Sequence, residues 1–366
     1  MEFRGVSIKK YFFLLLFLKG SLLFGFSPSL AEVDKGSPPP RIIRPCCVLG
    51  ADFQLMGIPF SKVNHIMSPD DLNNHSYMGG KKEGNGIIYT KQGGFIDIGH
   101  LRDQADWTRY LFSLILTERS NGEFIKKLKH EGGSKYLTIN ATELDTMDCL
   151  LLAGKITFDL SLWHELSTWF GASTLPFVSE RYSSFSLEDV YSNLLGIYIG
   201  MEALKSDLPY ESAMTQAIYQ TLDSLGAQSE AETAVAMESV REIWWSRSKR
   251  IPNSKVLLMR DTDVYSTVSP WLVSDTTSQS VEPHLLLGPR ITSIGNIITD
   301  YYTLNIDLNN KFPAEEMFPE RETRIISQDD FKVLLNRVEE EIENNKLVDS
   351  GNEVFPPLKP EKSLQY

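Results

Sequence analysis

The sequence contains few cysteines. Only three occur among its 366 residues, with Cys46 and Cys47 adjacent and Cys149 far from both. A bridge from one of the pair to Cys149 is plausible in an oxidising compartment, whereas adjacent cysteines bridge each other only in a strained geometry. Disulfides therefore cannot hold a chain of this length together, and a hydrophobic core must supply its stability.

Basic residues are scarce relative to acidic ones. The 36 Lys and Arg stand against 48 Asp and Glu, which gives a formal net charge of -12. Nucleic acids and anionic membrane surfaces both attract proteins through a basic face. The charge balance therefore argues against either as the main partner, and it predicts no nucleic-acid binding.

Long apolar runs are confined to the first residues. A basic start at residues 4–10 precedes apolar residues 11–26, which Lys19 interrupts, and Ser29-Leu30-Ala31 offers a small-x-small cleavage site. An uncleaved anchor is the alternative, but about 16 apolar residues fall short of the roughly 20 that a spanning helix needs. We therefore expect a signal peptide at residues 1–31, export to the periplasm or cell envelope, and no transmembrane span in the mature chain.

The pattern of apolar residues predicts an α+β fold. Residues 86–90 alternate as a strand, 91–94 form a glycine-rich turn, and 95–98 fold back as the second strand of a hairpin. After Gly99 the apolar period becomes helical. Helical patterns dominate residues 142–245 and strands are few, so we expect a helix-rich core with a small antiparallel sheet.

Composition divides the chain into five parts. The signal peptide (1–31) is followed by a polar leader that we expect to be flexible (32–40), and then by the main α+β domain (41–275). A Ser/Thr-rich stretch opens a C-terminal extension (276–350). The last part (351–366) contains adjacent prolines and is predicted to be a disordered tail.

His100 is the first candidate metal ligand. It lies where the second strand of the hairpin gives way to a helix, and Asp103 follows one helical turn later, at i+3. Side chains at this spacing can converge on one point. Imidazole and carboxylate groups both bind divalent metals, so we predict that His100 and Asp103 are ligands.

The adjacent pair His164 and Glu165 is the second candidate. On a helix, a His-Glu step is half of the zincin motif, in which a histidine four residues on completes a pair of zinc ligands and the glutamate is the general base. Thr168 occupies that position here, so the motif is broken. We expect His164 to bind a metal with ligands from other segments and Glu165 to be the catalytic base; the alternative is a hydrogen-bonded histidine of the core.

Glu180 is the fourth predicted ligand. Downstream, Ser186, Glu188 and Asp189 are typical of a helix start, with Ser186 as the N-cap and the acids favoured by the helix dipole. That role accounts for Glu188 without catalysis, although Glu188 stays an alternative to Glu180. Glu180 lies outside this helix beside Arg181, so it is either a functional carboxylate or one half of an ion pair.

Several distinctive blocks occur in order between about residues 41 and 275. They include Arg44-Pro45-Cys46-Cys47, Asn85-Gly86-Ile87-Ile88-Tyr89-Thr90, His100-Leu101-Arg102-Asp103, Trp163-His164-Glu165, Tyr191-Ser192-Asn193-Leu194-Leu195-Gly196 and Pro270-Trp271-Leu272-Val273. Together they resemble an uncharacterised bacterial family, domain of unknown function 4056. The resemblance implies a bacterial, exported protein, and it implies no catalytic residues.

An enzyme and a binding protein both remain compatible with these residues. In the first hypothesis, the four predicted ligands hold zinc or another divalent metal, and Glu165 activates a bound water that hydrolyses a cell-envelope substrate. A metal-free variant uses Cys46 or Cys47 as nucleophile with a histidine as base. In the second hypothesis, the same polar groups form a buried network and exposed aromatic residues bind an envelope partner.

Overall fold

The structure, a computed structural model, describes residues 38–44, 49–50, 66–172, 180–181, 183–247, 255–274, 281–310 and 312–349. The predicted signal peptide and tail lie outside the described residues, as do Cys46, Cys47 and most of the predicted leader. The described part contains seven α-helices and small antiparallel sheets, which confirms the predicted α+β class.

Helices are the main elements of the fold. They are α1 (Ile98–Glu118), α2 (Thr146–Trp169), α3 (Asp189–Lys205), α4 (Tyr210–Ser224), α5 (Glu230–Ser239), α6 (Ala314–Met317) and α7 (Phe331–Asp349). Of these, α1, α2 and α3 pack against one another, and α2 and α3 are buried along most of their length. None of the described helices has both the length and the apolar composition needed to cross a membrane.

The strands of the described residues pair with one another in antiparallel fashion. A hairpin joins β1 (Ile87–Thr90) to β2 (Gly94–Asp97), as the sequence predicts. The largest sheet contains, in spatial order, β3 (Phe124–Lys127), β4 (Gly133–Ile139), β7 (Tyr302–Leu308) and β8 (Ile325–Ile326). A third pair consists of β5 (Trp245–Arg247) and β6 (Lys255–Leu257).

The predicted C-terminal extension shares a sheet and a core with the region before it. β7 pairs with β4 from Gly133 opposite Leu308 to Ile139 opposite Tyr302. On α2, the ring of Trp163 stacks on Phe312 and on Phe331, with centroids 5.9 and 5.7 Å apart. Residues on both sides of the predicted boundary near 275 therefore contribute to one packed core.

Two glycines let α3 approach α1 very closely. A Cβ atom on Gly196 would lie 2.1 Å from the carbonyl oxygen of Leu101, and one on Gly200 would lie 2.8 Å from the Cα of Ala105. Any larger residue would push the helices apart, because contacts this short are strongly repulsive. The close approach brings the N-terminus of α3 to the N-terminus of α1.

Two element boundaries differ from the predictions. Ser186 is not the N-cap of α3: the helix starts at Asp189 with Glu188 as its cap residue, and Ser186 Oγ instead donates to Glu188 Oε2 at 2.5 Å. The helical pattern that the sequence shows up to residue 245 ends at Ser239, and Glu242, with a positive φ of 63°, lies in the turn that follows. The chain then turns and enters β5.

Candidate functional site

Two helix N-termini bring a histidine and two aspartates together in the interior. Asp97 caps α1, His100 lies in its first turn, and Asp189 is the first residue of α3. One potential ligand atom from each residue lies within 4.8 Å of the others. His100 Nδ1 is 2.9 Å from Asp97 Oδ2 and 3.5 Å from Asp189 Oδ1. Tetrahedral ligands of a zinc-sized ion are about 3.4 Å apart, so this metal-capable group could hold a metal.

Local structure fixes the position of each member. Asp97 Oδ1 accepts hydrogen bonds from the backbone N–H groups of Gly99 (2.7 Å) and His100 (3.1 Å), as an N-cap does. The backbone N–H of Asp97 donates to Ser192 Oγ at 2.9 Å. Since Ser192 lies one turn after Asp189 on α3, this bond ties the start of α1 to the start of α3.

Two carboxylate oxygens here lack a hydrogen-bond partner in the described part of the chain: Asp189 Oδ1 and Glu188 Oε1. The two residues are 4% and 2% exposed. Burial raises the pKa of Glu188 to about 7 and, with repulsion from Glu188, Glu165 and Asp97, it raises the pKa of Asp189 well above its usual value. Buried charges are normally paired or bound to a metal, so these oxygens point to a cation site.

Glu165 borders the metal-capable group from α2. Its Oε2 accepts a 2.7 Å hydrogen bond from the backbone N–H of Phe185, whose carbonyl in turn accepts from the N–H of Asp261 at 3.0 Å. Phe185 is fully buried and has a φ of 59°. A non-glycine residue in this region costs about 1–3 kcal/mol, so these bonds stabilise a strained turn that leads into Asp189.

Glu188 also lies beside a cluster of aromatic side chains. They are Phe95, Tyr191, Trp244 and Trp271. The ring of Trp244 meets those of Phe95 and Trp271 edge to face, with centroids 6.1 Å apart in both pairs. Packed aromatic rings therefore lie directly beside a buried carboxylate.

The structure does not assemble the four predicted ligands into one site. His100 belongs to the metal-capable group, whereas Asp103, His164 and Glu180, all within the described residues, do not. His100 pairs with Asp97, three residues before it, rather than with Asp103, three residues after it. Asp97 is the N-cap of α1 and lies within hydrogen-bond distance of the imidazole, whereas Asp103 is hydrogen-bonded to Arg44.

Asp103 belongs to a separate arginine network formed by Arg44, Glu83, Asp103 and Asp106. Arg44 donates to Glu83 through Nε and Nη2, both at 2.8 Å, and through Nη1 to Asp103 (3.0 Å) and Asp106 (2.9 Å). Burial raises the pKa of Asp103 to about 6; for Glu83 burial acts in the same direction, but bonds from Arg44 lower the pKa to about 2. The protein itself supplies the counter-charge in this network.

His164 and Glu180 lie in other surroundings. His164 Nδ1 is 2.7 Å from Glu131 Oε1, and Glu131 Oε2 accepts from Lys135 at 2.5 Å. His164 is thus a hydrogen-bonded histidine of the core, which the sequence allowed as the alternative to a metal ligand. Glu180 precedes a turn in which its carbonyl accepts from the N–H of Ser183 at 3.0 Å.

Asp97 and Asp189 are the two potential ligands that sequence reasoning missed. In the sequence, Asp97 simply lies near the end of a predicted strand, and Asp189 is an acid that the dipole of the predicted helix stabilises. A local signal does exist for Asp97, since its i, i+3 spacing to His100 spans a helix start. Asp189 has no local signal, because only the packing of α3 on α1 brings it to the other two.

Of the three cysteines, Cys149 lies within the residues that the structure describes. Its thiol is buried, donates to the carbonyl of Leu144 at 3.9 Å and lies 3.6 Å from Arg119 Nη1. Burial raises its pKa. A buried, protonated thiol is a poor nucleophile, so Cys149 does not support thiol catalysis.

Comparison with known proteins identifies a family but no characterised relative. Neither a curated protein nor a solved structure matches the chain. The family model described as protein of unknown function (DUF4056) matches residues 35–274, more than half of the chain. The matched residues include α1, α2 and α3 and every member of the metal-capable group. The chain therefore belongs to the DUF4056 family of proteins of unknown function.

Proposed function

We propose that this protein is a metal-dependent hydrolase whose divalent cation is bound by Asp97, His100 and Asp189. The observation that carries the proposal is the short spacing of these ligand atoms around an oxygen of Asp189 that has no hydrogen-bond partner in the described chain. Three protein ligands leave a coordination position for water, which is the usual arrangement of a catalytic site. Two carboxylates and one imidazole suit zinc and also manganese.

A bound cation would supply the chemistry by lowering the pKa of a coordinated water. The residues of this chain would orient that water and remove its proton. Glu188 is the better candidate for the base, because its Oε1 is buried beside Asp189 without a hydrogen-bond partner in the described chain. Glu165, the base that the sequence predicts, already accepts a hydrogen bond from Phe185 through Oε2, and so supports the turn before Asp189.

The proposal also includes export and a cell-envelope substrate. The support is the basic, apolar and small-residue pattern of residues 1–31. Intact mass measurement of protein from the envelope fraction of an expressing bacterium should give a chain that begins at Glu32. A full-length chain found with the cytoplasmic proteins would contradict export.

Metal content tests the central claim. Protein purified without a metal-affinity tag is incubated with Zn²⁺ or Mn²⁺, desalted and measured by mass spectrometry, as wild type and as His100→Ala and Asp189→Asn. We expect about one ion per chain in the wild type and a loss of affinity above about 100-fold in both variants, since even supporting residues around a metal change affinity 10–100-fold.

His164→Ala is the matched control. It removes another buried histidine that pairs with a carboxylate, Glu131, outside the metal-capable group. Its metal content should equal that of the wild type. A wild type that binds neither ion, or an equal loss in His164→Ala, would overturn the proposal and favour a non-enzymatic binding protein.

Hydrolysis is tested on the metal-loaded protein. Ester, peptide and glycan substrates are screened with the wild type, Glu188→Gln and Glu165→Gln. Glu188→Gln should bind the metal but lose most of the turnover, about 100-fold or more for a general base. Turnover by metal-free protein, or full activity in Glu188→Gln, would contradict the assigned roles.

A further inference from the structure

Two arginines converge on one indole ring at the C-terminal end of α2. The guanidinium carbon of Arg181 lies 4.5 Å from the ring centroid of Trp169, and that of Arg260 lies 5.1 Å from it. Arg181 also pairs with Glu341 at 2.6 Å, and the same oxygen of Glu341 accepts from Trp169 Nε1 at 3.0 Å. Two cations are thus held in fixed positions beside one aromatic side chain.

One peptide unit links Arg260 to Glu165, the carboxylate that acts on Asp189 of the metal-capable group. Arg260 Nη1 donates to the carbonyl oxygen of Ser184, and the N–H of the same peptide unit, that of Phe185, donates to Glu165. In a trans peptide these two groups point in opposite directions, so Arg260 and Glu165 lie on opposite sides of the peptide. The charges of Glu165 and Asp189 both act on the pKa of Arg260, which places its guanidinium within electrostatic range of the site.

The like charges of the pair oppose each other. Burial and then the neighbouring Arg181 lower the pKa of Arg260 to about 10, so it still carries its charge at neutral pH. Two guanidinium groups close together repel each other. Glu341 supplies a counter-charge to Arg181, and an anion between the two arginines would add to it. Arg181 has a side chain that is 44% exposed, so a solute can reach the pair.

We propose that Arg260 and Arg181 bind an oxyanion of the substrate, a carboxylate or a phosphate group, next to the metal held by Asp97, His100 and Asp189. The inference rests on the proposed function, which it extends by naming the substrate class. The planar guanidinium group presents paired donors that match the oxygens of carboxylate and phosphate. The substrate is therefore an anionic ester or amide whose acidic group lies close to the bond that is cleaved.

The anion also has to come close to several carboxylates. Asp97, Glu165, Glu188 and Asp189 are all buried in this region. A divalent cation offsets two of these negative charges, and the arginine pair adds positive charge at this edge of the site. Binding of an anion to the arginine pair should therefore be stronger when the metal is present, because the bound metal offsets the negative charge of the nearby carboxylates. By the same coupling, a bound anion should strengthen metal binding.

Calorimetric titration of the full-length protein with inorganic phosphate, and separately with acetate, tests this inference. Each titration is done on metal-loaded and metal-free samples whose metal content is measured. We expect Arg260→Met to weaken anion binding at least 10-fold with unchanged metal content, Arg181→Met to weaken it by a smaller factor, and Arg260→Lys to restore part of it. Preference for phosphate over acetate, or the reverse, identifies which oxyanion the pair recognises.

Arg109→Met is the matched control. Arg109 also stacks on aromatic rings, those of Tyr77 and Tyr210, at 3.9 and 4.5 Å, but away from the metal-capable group. This variant should bind both anions as the wild type does. Equal loss in Arg109→Met, or no loss in either variant of the pair, would overturn the inference.

Metal content and anion binding are read separately, so the two proposals can fail independently. A wild type that loads metal but binds neither anion rejects the anion site and leaves the metal site standing. A wild type that loads no metal rejects the proposed function, and with it the anion site as a substrate site. Thermal unfolding of each variant shows whether Arg260→Met still folds, and Arg181→Met, changed at an exposed position, tests the pair if it does not.

Discussion

Two buried groups of acids involve the same helix, α1, and they differ in how their charge is neutralised. In the arginine network, Arg44 donates hydrogen bonds to Glu83, Asp103 and Asp106. In the metal-capable group, Asp189 Oδ1 has no hydrogen-bond partner among the described residues. The acids of both groups are buried. Those of the arginine network have an arginine as counter-charge, whereas Asp189 in the metal-capable group lacks, within the part of the chain that the structure describes, a hydrogen-bond partner for one oxygen. The arginine network is therefore a structural ion network, and the metal-capable group is a candidate ligand site.

The largest expected effect is on the arginine network. Arg44→Met should lower the free energy of unfolding by about 3–5 kcal/mol, because it leaves buried carboxylates without their partner. Urea unfolding followed by tryptophan fluorescence measures the change. By contrast, Asp189→Asn should leave the stability of the metal-free protein unchanged or raise it, since it removes a buried acid whose Oδ1 has no hydrogen-bond partner among the described residues. Equal destabilisation by the two substitutions would remove the distinction between the groups.

The next effect concerns the packing that forms the metal-capable group. Gly196→Ala places a methyl group 2.1 Å from the carbonyl oxygen of Leu101, and should destabilise the protein by about 1–3 kcal/mol. It should also weaken metal binding, because the separation of α1 and α3 sets the distance from His100 to Asp189.

Gly288→Ala is the control for that substitution. A Cβ atom there would lie 3.8 Å from its nearest neighbour, a ring carbon of Phe158, so the added methyl fits. Unfolding and metal titration of both variants make the comparison. Unchanged metal affinity in a destabilised Gly196→Ala would show that the helix contact does not control the site.

The smallest expected effect is the pH dependence of the metal-free protein. The folded-state pKa of Glu188, about 7, is above the unfolded value of about 4.5, so the folded state holds this proton more tightly. Stability should therefore fall as pH rises from about 4.5 to 7, by on the order of 1–3 kcal/mol, and then level off.

Urea unfolding between pH 4.5 and 8, with chelator and with saturating metal, checks this dependence. Glu188→Gln should flatten the metal-free curve, and bound metal should reverse its slope because it favours the deprotonated acids. If the stability of the metal-free protein rose with pH instead, the raised pKa of Glu188 would be contradicted.

Local patterns predicted the elements around His100 and little about its partners. The hairpin of β1 and β2 and the start of α1 follow from alternation, a glycine-rich turn and a change of period, all of which act over a few residues. Asp103 was expected beside His100 because i+3 positions share a face. In the structure, Arg44 from a distant segment pairs with Asp103, and Asp103 therefore does not join His100.

The sequence by itself determined the α+β class and the junction at which His100 lies, because hydrophobic periodicity and turn residues act locally. The tertiary structure decided that Asp97 and Asp189, rather than Asp103 and His164, surround His100. The physical reason is the contact between α1 and α3, which exists because Gly196 and Gly200 carry no side chain where the helices touch. Contacts between residues so far apart in the chain leave no pattern in any short stretch of it.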